Sequence, residues 1–484
     1  MNAHSSETST SGGQSPSNHN LPCPSAKPSS TSGSDRFART PKPKSQRCSG
    51  PIHGNTHDRK TTGQEPIYSC SYCRVDRTLL GNPTIEPNGH ISRASYIFYG
   101  SAPWDAPWLT EHNLAHSLSK GGCNVLFVEP PMSVATPLRR GRSRTMRKLL
   151  HIRMRTRQGV SIIQPFVLPP VTNARAQALS TRLVGRQVRS ATKRLGLERP
   201  VVVAARDTVT LAGPTDELCR VYLIKDWIQA GSDLLGRDEA ELTREVRTLA
   251  SWADISCSIS PQLQRGLADE GVESTVLKHG FHAELADLYD RAQTPADIQC
   301  LSGPLLGYAG RVDERLDVDI LVHLAATFRD ATVVLVGPIS PRFPHNERQR
   351  LLDQDNIVML GPRARDALPA YVASFDCLLM PYRSSEWMKY GSPLKLWDYL
   401  YAGAPIIGSG CVALEDYSPK YLRFALDSRS FAAAVSAALE DGSAGRAERR
   451  AYAVENSWEA RADQLKQLIS SHVDGDIDVA APSP

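Results

Sequence analysis

From Ser95 onward, short apolar runs alternate with longer amphipathic segments. Residues 96–99 read as a strand, 108–120 as a helix and 124–129 as the next strand, followed by strands at 160–168 and 201–205. Runs such as Val201-Val202-Val203 and Val221-Tyr222-Leu223-Ile224 are apolar at every position, the pattern of strands covered on both faces. Strands are also expected at 255–259 and 275–277. After a stretch containing Pro and Asp at 287–303 the rhythm restarts, with strands near 305–308, 332–336, 357–360, 377–380 and 405–407. Alternating strands and helices predict parallel sheets wrapped by helices, and the restart predicts two of them.

The expected fold class is therefore α/β: two tandem Rossmann-like domains facing a central crevice, behind a disordered N-terminal extension. Residues 1–92 are dominated by Ser, Thr, Pro, Gly, Asn and Lys, too polar to offset chain entropy by burial. Residues 93–290 form the first domain and 291–445 the second, with one more helix at 446–472 and a frayed tail at 473–484. Ligands of such sheets bind beyond the carboxyl ends of the strands, so a crevice between two of them suits a two-substrate reaction.

Composition narrows the class little: 41% hydrophobic and 22% charged residues are ordinary globular values. A net charge of +5 over 484 residues does not argue for nucleic acid. No apolar run is long enough to cross a bilayer and no signal-peptide core opens the chain, so a cytoplasmic location is expected. The ten cysteines fit reduced thiols, Cys123, Cys257 and Cys377 lying in apolar runs. Cys70 and Cys73 have the spacing of half a zinc site, with Cys48, His53 and His57 upstream, but no second pair stands at a suitable interval and no metal is expected.

The most informative segment follows the strand at 377–380. A polar loop leads to Ser392 and Pro393, a favoured N-cap and first helical residue, and the helix stops at Gly403. Leu394, Leu396, Trp397, Leu400 and Ala402 make it a packed helix, against which Lys395 and Asp398 stand out on one face near its amino end. Unpaired backbone N–H groups and the helix dipole favour anions there, so a pyrophosphate could meet Lys395 and the Asp398 carboxylate could take two ribose hydroxyls. The plain alternative is an exposed ion pair worth about 0.2–0.5 kcal/mol.

The run from Ser392 through Pro393, Leu394, Lys395, Leu396, Trp397, Asp398 and on to Gly403, Pro405 and Ile407 resembles the donor-binding segment of GT-B glycosyltransferases, particularly bacterial ones that build surface polysaccharides. The resemblance implies Lys395 at the diphosphate or sugar and Asp398 on the ribose. Gly307-Tyr-Ala-Gly310-Arg311, continuing to Arg315 and Asp317, is similar to the family's first strand-loop-helix of the second domain, where a small-residue turn lets backbone approach phosphate and a cation neutralises it. Arg311 is the preferred cation and Arg315 the second, the latter with Asp313 and Asp317 in reach as partners. Trp104-Asp105, Glu111-His112-Asn113 and the strand ending Glu129-Pro130-Pro131 look like the opening β-α-β unit, and Lys278-His279-Gly280-Phe281-His282 like the loop that ends the first domain at the crevice. Many retaining members carry Glu eight positions before the ribose-binding acid; here position 390 is Tyr, with Glu386 displaced by four.

Glycosyl transfer needs the leaving diphosphate neutralised and, for direct inversion, a base near the acceptor hydroxyl. Lys395 and Arg311 answer the first need. Asp226, at the end of an apolar strand, is the best candidate base, with Asp207 and Glu111 behind it. His279 could donate to a phosphate or sugar oxygen, or hold the hinge. Tyr390, Ser392, Pro393 and Leu394 complete the expected donor pocket with Gly310, and Gly280 the crevice. Arg139, Arg140, Arg142, Arg144, Arg147, Lys148, Arg153, Arg155 and Arg157 crowd one segment without an acid, interleaved with Met146, Leu149, Leu150, Ile152 and Met154. This is read as a basic amphipathic element that docks on the anionic inner membrane face, each cation contributing about 1 kcal/mol, against a mobile loop or a nucleic-acid patch. The expected activity is sugar transfer from a UDP- or GDP-sugar to a polysaccharide or lipid-linked acceptor, with no cofactor and no metal. Two other readings use the same pocket: a nucleotide-sugar epimerase, which turns over donor without acceptor, and a non-catalytic nucleotide-sugar-binding partner.

Overall fold

A computed structural model describes residues 94–133, 154–167, 174–206, 216–232 and 236–479. The N-terminal stretch 1–92, Asp207 and most of the basic segment, including Arg139, Arg140, Arg147, Lys148 and Arg153, lie outside the described residues.

The first sheet has eight strands, in spatial order Thr275–Val276, Ile255–Ser258, Cys219–Ile224, Val201–Ala204, Ser95–Tyr99, Asn124–Val128, Val160–Ile163 and Arg155–Arg157. All neighbours run parallel except the last, which pairs antiparallel with Val160–Ile163. The second has six parallel strands: Ile357–Gly361, Thr332–Val336, Leu305–Ala309, Cys377–Pro381, Ile406–Ser409 and Arg423–Phe424. Ser95–Tyr99, Val201–Ala204, Leu305–Ala309 and Thr332–Val336 are buried at every residue, as sequences apolar throughout apart from the leading Ser95 and Thr332 require.

In each sheet the chain starts in the middle, builds outward to one side and then crosses to the other. The reversal in the second sheet falls between Leu305–Ala309 and Cys377–Pro381, and the loops leaving these two strands carry Gly310 to Arg315 and Arg383 to Leu394. The sequence-expected donor residues thus share one switch point, the place where doubly wound sheets open a crevice.

Several expected elements take a different form. The run expected as one strand at 160–168 splits: Val160–Ile163 joins the main sheet, while Phe166–Val167 pairs with Met132–Ser133 in a separate ribbon. Arg155 and Arg157, expected in the membrane-docking element, sit on the antiparallel edge strand, and Arg155 pairs with Glu129 at 2.6 Å and Asp105 at 3.2 Å. The single helix expected at 446–472 is two, Arg446–Glu455 and Trp458–Val479, the second running beyond the expected tail boundary. The break is tertiary: Phe281 takes backbone hydrogen bonds at both sides of it, donating to Asn456 O at 3.0 Å and accepting from Trp458 N at 3.0 Å. Trp458, Ala462, Leu465 and Ile469 then pack with Tyr96, Leu114 and Val125, so the chain's last helix covers the first sheet.

Candidate functional site

The helix Lys395–Ala402 buries Leu396, Trp397, Tyr399 and Leu400, and Gly403 ends it in the left-handed conformation at φ 84° with its N–H on Tyr399 O. Its start departs from expectation. Ser392 is not the cap; Leu394 precedes the first helical residue with helical dihedrals and no side-chain cap. The Pro393 carbonyl accepts from Leu396 N at 3.1 Å, a tighter first turn, and the Ser392 backbone is engaged by the His279 imidazole.

Lys395 has no ion pair among the described residues. Its Nζ lies 3.6 Å from the Tyr308 ring centroid and 5.6 Å from that of Tyr382, a cation held by aromatic faces in place of carboxylates. Burial, followed by the neighbouring Arg315 charge, holds the ammonium well below the usual lysine range. Gly310 makes room for it: a Cβ there would come 2.3 Å from Lys395 Nζ, and Gly337, at φ 147°, passes so close that its Cβ would meet Gly310 O at 1.9 Å. One turn along the helix, Asp398 Oδ1 is buried without a hydrogen-bond partner, and burial pushes its carboxyl up to about 7, the Arg365 charge offsetting part of the effect.

These groups line one cavity of about 510 Å³. Gly310, Arg311 and Arg315 form its wall from the first loop, and Ser392, Pro393, Leu394, Lys395 and Asp398 its wall from the second. Arg311 is exposed, whereas Arg315 is tied to Asp313 by Nε–Oδ1 at 3.0 Å and Nη2–Oδ2 at 2.6 Å. From the first domain come Pro107, Trp108, Leu109 and Asp226. Asp226 follows the strand Cys219–Ile224, and burial pushes its carboxyl up to about 6 against the pull of Lys225 and Arg315.

Three expected site residues lie elsewhere. Tyr390 is outside the cavity wall; its ring stacks on Trp227 at 4.5 Å, beside Gly266, in a contact between the two domains. Glu111 is fully buried: burial alone would raise its pKa, but Lys225 at 2.7 Å and Ser101 at 2.5 Å bring it to about 2, which fits a structural anion and not a base. His279 is buried against Thr110 at 3.2 Å, and burial together with Lys225 pushes it down to about 3, so it stays neutral and links the domains. Gly280 lines an adjoining cavity of about 370 Å³ that shares Trp108 and Asp398 with the first. Tyr308 and Tyr382 at strand ends, Trp108 before a helix and Trp387 within a short one also wall the cavity; an aromatic in any of these places carries the same sequence signal whether it packs in the core or faces a ligand. No cluster of His, Cys, Asp and Glu able to hold a metal occurs among the described residues.

The raised Asp398 carboxyl has a consequence for stability. The folded chain keeps this proton to about pH 7, while an unfolded Asp releases it near ~3.9, so across that window the folded state binds more protons and stability falls as pH rises. Asp398→Asn is therefore expected to be more stable than the parent above pH 7, by ~1–4 kcal/mol, with the difference vanishing below about pH 4. Urea unfolding of both proteins at the two ends of that range checks the sign.

The comparisons with known proteins follow the same outline. Residues 303–441 match the family described as Glycosyl transferases group 1. A sucrose-phosphate synthase from Thermosynechococcus elongatus superposes with a TM-score of 0.58 at 16% identity, covering 78% of this chain and 99% of that one. The fold is that of the GT-B glycosyltransferases. An α,α-trehalose 6-phosphate synthase from Burkholderia multivorans shares it with a TM-score of 0.57 at 11% identity, over 80% of this chain and 100% of that one. Anabaena HepE, solved with UDP and glucose, does so with a TM-score of 0.52 at 15% identity, over 78% and 100%. In sequence, the chain is 25% identical over 200 residues to the putative teichuronic acid biosynthesis glycosyltransferase TuaH of Bacillus subtilis (strain 168), 40% of this chain and 50% of that protein. The chain spans about half the length of this curated relative. The resemblance to bacterial GT-B glycosyltransferases carried by the donor segment is borne out. No helix among the described residues is long and apolar enough to cross a membrane.

Proposed function

We propose that the chain transfers a glycosyl group from a UDP- or GDP-sugar to a polysaccharide or lipid-linked acceptor, without a metal ion. The observation that carries this reading is the pairing in one cavity of a cation without a carboxylate partner, Lys395, and a buried carboxylate without a donor, Asp398. A nucleoside diphosphate supplies both missing partners: phosphate oxygens for Lys395 and Arg311, ribose hydroxyls for Asp398. The matching family and HepE's bound UDP and glucose support the same class of donor. In the transfer, the bond from the anomeric carbon to the diphosphate oxygen breaks, a bond to the acceptor oxygen forms, and the acceptor proton passes to Asp226. The diphosphate leaves with its charge met by Lys395 and Arg311. The cations of residues 139–153 dock the acceptor domain on an anionic cytoplasmic membrane face, where a lipid-linked acceptor lies.

A panel of nucleotide sugars screened by thermal shift tests the donor class, a ligand at 100 times its dissociation constant adding about 2.7 kcal/mol of stability. One UDP- or GDP-sugar is expected to raise the melting temperature, equally in the presence of EDTA, and nucleoside diphosphate is expected to be released only when an acceptor is added. Conversion of the donor without acceptor would replace this reading with an epimerase, and a shift abolished by EDTA would assign the diphosphate to a divalent cation.

A further inference from the structure

The 22-residue helix Ala174–Leu195 carries Arg175, Arg182, Arg186, Arg189, Lys193 and Arg194 and no acidic residue. Its formal +6 exceeds the +5 of the whole chain. Val184, Val188 and Ala191 bury one side against Ile97, Leu126 and Ile163 of the first sheet. At 100° per residue, Arg182, Arg186, Arg189 and Lys193 fall on the opposite side within an arc of roughly 60°, and all four are exposed. Leu179, 53% exposed, flanks this row.

An ordinary solvated face does not look like this. The helix Glu239–Trp252 mixes Glu239, Glu241 and Glu245 with Arg244 and Arg247, as water-facing helices commonly do. On Ala174–Leu195 the pairs Arg182/Arg186 and Arg189/Lys193 stand at i,i+4 with like charge, which disfavours the helix locally. The burial opposite holds the helix in place, so the row is presented on a rigid support. Met154, leading into the edge strand with exposed Arg155 and Arg157, packs on the same core.

We propose that this face of Ala174–Leu195 is a folded docking surface for an anionic lipid bilayer. Charge complementarity selects an anionic partner. A straight row about 16 Å long, with an exposed leucine beside it and no aromatic residue anywhere on the helix, suits a plane of headgroups better than stacked bases. The inference deepens the membrane reading above by adding a second surface on the acceptor domain, and the two are separable by variant.

The test is sedimentation of the full chain with vesicles of phosphatidylcholine, with and without phosphatidylglycerol. The triple variant Arg182→Gln, Arg186→Gln and Lys193→Gln keeps helix propensity. It is expected to weaken partitioning onto the anionic vesicles by about 10- to 100-fold while leaving the donor-induced thermal shift intact, and the matching Arg→Lys changes at 182 and 186 are expected to retain binding. Wild-type binding is expected to fall with added salt. Undiminished partitioning of the triple variant, equal binding to neutral vesicles, or charge-dependent binding to duplex DNA in place of vesicles would overturn the proposal. Neutralising Arg139, Arg140, Arg147 and Lys148 instead tests the other segment, so either surface can fail without the other.

Discussion

Lys395→Ala and Asp398→Ala are each expected to abolish the rise in melting temperature that the cognate nucleotide sugar produces. Lys395 is the group for which no neighbour substitutes: Arg315 is already committed to Asp313 in a bidentate pair, and Arg311 is exposed, where water screens it. Removing the Lys395 ammonium therefore takes away the one buried charge proposed to meet the diphosphate, and it also vacates the faces of Tyr308 and Tyr382. In the proposed complex Asp398 acts on the other half of the ligand, its carboxylate accepting hydrogen bonds from two ribose hydroxyls. Hydrogen bonds to a charged acceptor are worth about 1.5–3 kcal/mol each, so loss of both lowers affinity by at least 100-fold. Urea unfolding of both apoproteins separates loss of ligand response from simple unfolding, and the parallel Asp398→Asn variant should gain apoprotein stability above pH 7. Wild-type shifts in both variants would sink the assignment of this cavity to the donor.

Much of this cavity could be read before the structure, for reasons that differ by element. Val201–Ala204 and the last four residues of Cys219–Ile224 are legible because a strand segment buried on both faces leaves no room for a polar residue, and Gly403 because a helix that must turn back into a parallel strand needs a left-handed exit. Lys395 and Asp398 are legible as the exceptions on an otherwise packed helix. What the sequence withheld depends on partners far along the chain. Ser392 has the chemistry of a cap, yet its backbone is drawn to His279, and nothing local signals that contact. Glu111 and Asp226 look alike as acids near crevice-facing segments; Lys225 and Ser101 close on the first and leave the second at the cavity.

The same long-range logic explains position 390. Tyr390 stacks on Trp227, and Trp387 sits where a Cβ on Gly231 would come 1.9 Å from its ring, so the short helix Glu386–Tyr390 of the second domain is keyed into the first immediately beside Asp226. Glu386 projects to solvent with its side chain 72% exposed, so it does not stand in for the carboxylate absent at 390. Aromatic contact here does the work of alignment: it fixes the short helix and its exit, which carry the cavity's Met388 and Gly391, against the strand end that carries Asp226.

That alignment leads to the second large effect. Asp226→Asn is expected to lower glycosyl transfer by about 10²- to 10⁴-fold, the usual worth of a positioned base, while the donor-induced thermal shift stays close to that of the parent. The separation follows from geometry: Asp226 enters the cavity from the first domain, whereas the two loops proposed to hold the diphosphate and ribose belong to the second. Its carboxyl, pushed up to about 6 by burial, accepts a proton only when ionised, so transfer by the parent should rise with pH through about 6 and then level off. The asparagine variant should lose that rise along with the rate. Since Asn is isosteric and cannot carry the charge that burial penalises, its fold should be no less stable than the parent's at neutral pH. Transfer at the parental rate with an unchanged pH profile would show that the proton leaves by another route, and Lys395 and Asp398 would then define a binding site whose chemistry is supplied elsewhere in the cleft.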